Sequence, residues 1–178
     1  MKVRIGFIIT IVVVVLITLI MVTFVIKDSN KIRIELVKCV DGDTAWFKVN
    51  GKKEKIRFLG IDAPESVHPN GVVEGYGKEA SDYTCGMLSN ANNIYIEYDI
   101  NSETYDKYGR LLGYIFVDNN NLGELLLSKG YAEVKYIYGD YKYIDSFCKI
   151  QKQAVDDKLG IWSNNSNYED NYCYSLDK

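Results

Sequence analysis

From Ile5 to Ile26 the chain carries no charged side chain and is built mostly of Ile, Val and Leu. That run constrains the fold first, because a segment without a polar stripe has no solvent face to offer a globular domain. As a helix rising about 1.5 Å per residue it reaches roughly 33 Å, enough for a hydrocarbon core of about 30 Å. Lys2 and Arg4 precede it, as in a secretory signal. The apolar run is longer than the roughly 7 to 15 residues of a signal h-region, however, and no small-x-small cleavage pattern follows it. The expectation is a cytoplasmic tail at 1–4, an uncleaved transmembrane anchor at 5–26 and a polar linker at 27–31, with secretion after cleavage as the alternative. Lys2, Arg4 and the amino terminus are about matched by Lys27, Lys31 and Arg33, so charge does not orient the span.

The remaining residues, about 150, suit one domain and are enough to bury a sizeable core. Without Lys2 and Arg4 they hold 19 basic against 24 acidic residues, a net charge of −5. Such acidity argues against tight nonspecific storage on nucleic acid. Cys39, Cys85, Cys148 and Cys173 form no C-x-x-C pair and have no histidine at zinc spacing, which argues against a zinc site. An even count permits two disulfides in an oxidising compartment, and free thiols in a reducing one. A Cys148–Cys173 bridge pinning the tail to the last helix is the pairing expected here, with Cys39 a core position.

Ile32 to Val37 alternates apolar and polar, the period of a half-buried strand. Thr44 to Val49 reads as a second strand. Asn50-Gly51 supplies the two positive-φ residues of a tight turn into a third, Lys55 to Leu59. Ser66 to Gly71, containing the only histidine, His68, reads as an exposed loop, followed by helical spacing over Gly77 to Leu88. Strands recur at Asn93 to Tyr98 and Leu111 to Val117, and a short helix over Leu122 to Ser128 ends at Gly130. Tyr131 to Tyr138 looks extended, Tyr143 to Leu159 is a longer helix, and the tail from 164 to 178 has no periodicity and reads as loosely ordered. Five or so short strands with three helices is what an OB-type barrel needs.

Three short segments carry the chemistry: Asp41-Gly42-Asp43-Thr44; Arg57 with Asp62-Ala63-Pro64-Glu65; and Asp106-Lys107-Tyr108-Gly109-Arg110. They supply hard oxygen ligands, one spare carboxylate and two guanidinium groups. A hard divalent cation takes carboxylate and carbonyl oxygens, and charge building on a phosphate takes forked N–H donors. Read alone, Asp-Gly-Asp is more often a turn, and each arginine could be a structural ion pair. The order and wording of the three segments resemble the staphylococcal nuclease (thermonuclease) family, from about Ile34 to Trp162.

The resemblance implies an α+β, mainly β fold over 32–163, a five-stranded OB-type barrel with three helices. It implies Ca²⁺ as cofactor, held by Asp43, Asp62 and the backbone carbonyl of Thr44, with Asp41 close by in support. Glu65 matches the family's general base, and Arg57 and Arg110 match its phosphate-binding arginines. Lys107, Tyr108, Tyr136 and Tyr138 match positions lining the nucleotide pocket, where aromatic rings stack on any base. The loop His68-Pro69-Asn70-Gly71 departs from the family by lacking the lysines of its best-known secreted members. A weaker long-range pull on polymeric DNA follows from that loss.

The activity implied is calcium-dependent hydrolysis of DNA and RNA with little sequence preference, water attacking phosphorus to leave 3'-phosphate ends. With two direct carboxylates the site would bind calcium weakly, matching millimolar extracellular levels. The catalytic domain is therefore expected outside the membrane, as a monomer with no protein partner. The competing reading is a noncatalytic OB-type module binding nucleic acid or protein at the membrane, which would not need to keep the five ionisable residues Asp43, Asp62, Glu65, Arg57 and Arg110.

Overall fold

Asn50 and Gly51 take φ values of 49° and 82°, the left-handed pair whose twist matches that of flanking strands. They join β2 (Thr44–Val49) to β3 (Lys52–Phe58), with Thr44 opposite Arg57 and Val49 opposite Lys52. The structure is a computed structural model that describes residues 11–19, 30–66, 75–164 and 172–173. In chain order the remaining strands are β1 (Lys31–Cys39), β4 (Ile61–Asp62), β5 (Ile94–Glu97), β6 (Leu111–Val117), β7 (Asn120–Asn121) and β8 (Glu133–Val134). The helices are α1 (residues 11–19), α2 (Gly77–Asn90), α3 (Leu122–Ser128) and α4 (Ile144–Asp156), followed by a 3₁₀ turn at Gly160–Asn164.

The sheet runs β3-β2-β1-β5-β6-β7, and a further parallel pairing of β6 with β3 closes its first five strands into a barrel. Closure removes the open edges on which a sheet of short strands would otherwise aggregate. The mainly β, OB-type expectation is met. Phe47, Ile56, Ile96, Ile115, Leu126, Leu127 and Phe147 are fully buried, each worth about 1.5–3 kcal/mol of transfer free energy.

The chain divides into two units, 1–31 and 32–178. No helix among the described residues is long and apolar enough to cross a membrane. Of the expected anchor at 5–26, only 11–19 is described, as helix. The rest of it lies outside the described residues, as do most of the linker, the loop from Val67 to Glu74 with His68, and all of the tail except 164 and 172–173.

Two helix ends show why some boundaries moved. α3 stops in a Schellman arrangement: the Gly130 and Tyr131 amides donate back to the Leu127 and Leu126 carbonyls, with Gly130 at φ 64°. α4 does the same, but with Lys158 rather than a glycine in the left-handed position at φ 54°, its amide and that of Leu159 reaching the Val155 and Ala154 carbonyls. The helix therefore ends before the expected Leu159. The Tyr131–Tyr138 stretch is strand only at Glu133–Val134, since Tyr136 takes φ 60° and breaks the extended run.

Buried polar side chains brace the barrel. Glu97, 2% exposed, accepts from Lys142 Nζ and from the Tyr143 hydroxyl at 2.8 Å. Asp99 accepts from the Tyr114 hydroxyl and the Lys142 amide, both at 2.7 Å. These bonds tie the end of β5 to the entry of α4. Cys148 and Cys173 form the expected disulfide, whereas Cys39 and Cys85 are free and half-buried rather than core.

Candidate active site at the barrel rim

The short turn before β2 and the two-residue strand β4 bring Asp43 and Asp62 to one guanidinium. Arg57 Nη2 lies 3.1 Å from Asp43 Oδ2 and 2.6 Å from Asp62 Oδ1. Its Nη1 donates to the Phe58 and Ile61 carbonyls at 2.9 and 2.5 Å. Every donor of that fork so described is spent on fixing the β3–β4 bend. Asp43 also accepts from the Thr44 hydroxyl and the Ala63 amide, each at 2.8 Å. Burial pushes the Asp43 carboxyl up, Arg57 and the Ala63 amide pull it back, and the charge of Asp62 adds to the rise.

Asp41 Oδ1 accepts from the Gly42 amide at 2.8 Å and from the Ser66 amide at 3.3 Å, which holds the turn against the segment carrying Glu65. A hydrogen bond with Asp41, reinforced by burial and by the charges of Asp41, Asp43 and Asp62, pushes the Glu65 carboxyl up to about 7. Four carboxylates thus crowd one rim, and a cation would relieve them.

Arg110 comes from the loop before β6. Asp106 holds it, taking the Arg110 amide at 2.9 Å on Oδ1 and Nε at 2.6 Å on Oδ2. Tyr108, 72% exposed, has Lys107 Nζ 5.0 Å and Arg110 Cζ 5.4 Å from its ring centroid. Tyr136 faces Arg57 Cζ at 5.7 Å, and Tyr138 is 82% exposed. A single cavity of about 1000 Å³ is lined by Asp41, Asp43, Thr44, Arg57, Asp62, Glu65, Lys107, Tyr108, Arg110, Tyr136 and Tyr138. All eleven residues expected from the sequence therefore meet there.

One expectation needs correction. The Thr44 carbonyl accepts from the Val40 and Asp41 amides at 3.2 and 3.0 Å, so both of its lone pairs are engaged and it has none for a metal. Thr44 serves instead through its hydroxyl on Asp43. Sequence reasoning missed Lys135, whose Nζ lies 3.2 Å from Asp62 Oδ2 and 2.7 Å from Glu133 Oε1. The available signal was its place directly before Tyr136, in a segment already expected at the pocket.

Among the described residues no three His, Cys, Asp or Glu side chains are grouped to hold a metal. The donor set does fit a hard cation: two carboxylates drawn to one guanidinium nitrogen, all-oxygen and open to a cavity that can supply water and phosphate.

Residues 55–164 match the family model described as staphylococcal nuclease homologue. The chain is 40% identical over 139 residues to Endonuclease YncB of Bacillus subtilis (strain 168), a match covering 77% of this chain and 65% of that protein. It is 37% identical over 139 residues to Thermonuclease of Staphylococcus hyicus, covering 78% and 80%. To the SPbeta prophage-derived endonuclease YokF of Bacillus subtilis it is 41% identical over 133 residues, covering 74% and 44%. The chain thus spans less than two thirds of the length of the two Bacillus relatives. With the family model matching more than half of the chain, this protein belongs to the staphylococcal nuclease homologue family.

Proposed function

We propose that this protein is a calcium-dependent nuclease that hydrolyses phosphodiester bonds of DNA and RNA with little sequence preference. The observation that carries the proposal is the convergence of Asp43 and Asp62 on Arg57, in the cavity that also takes Glu65 and Arg110. Names of relatives support it, two being called endonucleases and one a thermonuclease.

Asp43 and Asp62 would hold the ion, which when bound offsets their charge and polarises a phosphate oxygen. Glu65 takes the proton from an attacking water. Its raised pKa leaves it partly protonated near neutrality, so a neighbouring cation also readies the base. Arg110 donates N–H bonds to the phosphate oxygens as negative charge builds at phosphorus, and Arg57, its fork held by the carboxylates and carbonyls of the bend, adds a fixed positive charge beside them. The oxygen on the 5' side leaves and the phosphate stays on the 3' end. Tyr108, Tyr136 and Tyr138 offer rings to neighbouring bases, which reads stacking rather than base edges.

An end-labelled single strand tests the proposal. Hydrolysis should require calcium, stop with chelator and yield 3'-phosphate ends. Glu65→Gln should lower the rate roughly 10²- to 10⁴-fold, and Arg110→Lys, which keeps the charge but loses the fork, should also lower it steeply. Binding without hydrolysis at any calcium level would leave only a noncatalytic module.

We further propose that residues 5–26 anchor the chain in the cell membrane with the catalytic domain outside. The uncharged run and the Cys148–Cys173 bridge support this, since disulfides persist in oxidising compartments. Protease added to intact cells should then release the domain, and protection would reverse the orientation.

A further inference from the structure

Asp62 has both carboxylate oxygens taken by side-chain cations: Oδ1 by Arg57 at 2.6 Å and Oδ2 by Lys135 at 3.2 Å. The two are not held alike. Arg57 is 7% exposed and bonded also to two carbonyls and to Asp43, so displacing it would strand buried charge. Lys135 has a half-exposed side chain, the longer contact, and a second carboxylate, Glu133, at 2.7 Å. Its ammonium can leave Asp62 by turning to Glu133 and water. Nor is it a freely ranging surface lysine. Asp62 pairs with Glu133 across β4 and β8, and the Lys135 amide donates to the Gly60 carbonyl at 3.2 Å. Main-chain pairing delivers the ammonium to the carboxylate.

Building on the calcium-dependent reading above, we infer that Lys135 is a built-in counter-cation on Asp62 that competes with the metal ion and holds cation affinity down. An ammonium and a divalent ion seek the same oxygen, and their like charges repel at contact range. In the absence of metal, Lys135 offsets part of the charge of the crowded carboxylates. When metal arrives, Lys135 is the partner that yields. The site therefore fills only at high calcium, a threshold set by one side chain.

Isothermal titration of calcium chloride into the full chain in detergent, without nucleic acid and at low ionic strength, tests this. Lys135→Met should tighten calcium binding by about three- to tenfold, while Lys135→Arg, which keeps the charge, should stay within about twofold of wild type. Lys78→Met removes a lysine paired with Asp82 on the exposed face of α2, and should leave the affinity unchanged. Unaltered or weaker binding in Lys135→Met, or equal tightening in Lys78→Met, overturns the inference while leaving the nuclease reading intact. A wild-type protein that binds no calcium overturns the metal assignment and the inference together. Lys135→Gln replaces the Met variant should the latter fail to fold by circular dichroism.

Discussion

At the scale of single residues, the carboxyl of Glu65 links acidity to stability. Its ordinary value of 4.5 is raised to about 7 in the folded protein, first by the hydrogen bond to Asp41. Between those values the folded chain keeps a proton that the unfolded chain releases, so rising pH favours unfolding across that window. The metal-free melting temperature should therefore fall from about pH 4.5 to about pH 7. Glu65→Gln should flatten part of that fall, leaving a residual slope from Asp43, whose buried carboxyl is shifted in the same direction. Melting curves in chelator across pH check this, and an unchanged slope in the variant would detach Glu65 from the carboxylate cluster. Five of the chemically active positions were legible because short motifs fix both residue type and order. The engagement of the Thr44 carbonyl and the arrival of Lys135 were not, because each depends on a contact between segments whose register no local pattern encodes.

At the scale of elements, Gly42 is where α2 meets the turn that carries the carboxylates. The Thr84 hydroxyl donates to the Gly42 carbonyl at 2.6 Å, and a Cβ on Gly42 would stand 2.7 Å from Ala63 Cβ and 2.9 Å from Ala80 Cβ. Neither neighbour is a flexible tip, so Gly42→Ala must push α2 or the Ala63 segment away. A loss of about 1–3 kcal/mol is expected from such overpacking, and hydrolysis should suffer as well because Asp41 and Asp43 flank the shifted residue. Gly51→Ala gives the contrast: nothing lies within 4 Å, but φ is +82°, so backbone strain of about 1–3 kcal/mol acts alone and hydrolysis should persist. Urea denaturation beside activity separates the two. The hairpin at Asn50-Gly51 was legible because turn chemistry is local, and β2 matched its expected limits for the same reason. β4 and β8, two residues each, are too short for any periodicity. Their pairing exists only once the barrel has closed, yet it is what brings Lys135 to Asp62.

For the molecule as a whole, a chain of supports runs from the carboxyl-terminal disulfide to the cavity. Cys173 is bonded to Cys148 on α4. On the same helix, buried Gln151 accepts the Val134 amide through Oε1 at 2.6 Å, holding β8. β8 in turn carries the chain through Lys135 to Tyr136 at the cavity wall. The bridge closes a loop with a sequence separation of 25, for which loop entropy gives about 3 kcal/mol. Cys148→Ser should therefore lower the melting temperature by about 6–12 °C, taking about 2–4 °C per kcal/mol for a domain near this size. The support relay adds a sharper expectation. Well below the new melting temperature the variant should still hydrolyse, because β2 and β3, which do not involve the bridge, fix Asp43 and Arg57, and Arg57 in turn holds Asp62. Amides of β8 should nonetheless exchange with deuterium faster than those of β2 and β3, since only β8 depends on α4 through Gln151. Equal acceleration across all three strands would mean that the bridge stabilises the barrel globally and that no relay from α4 to the cavity exists.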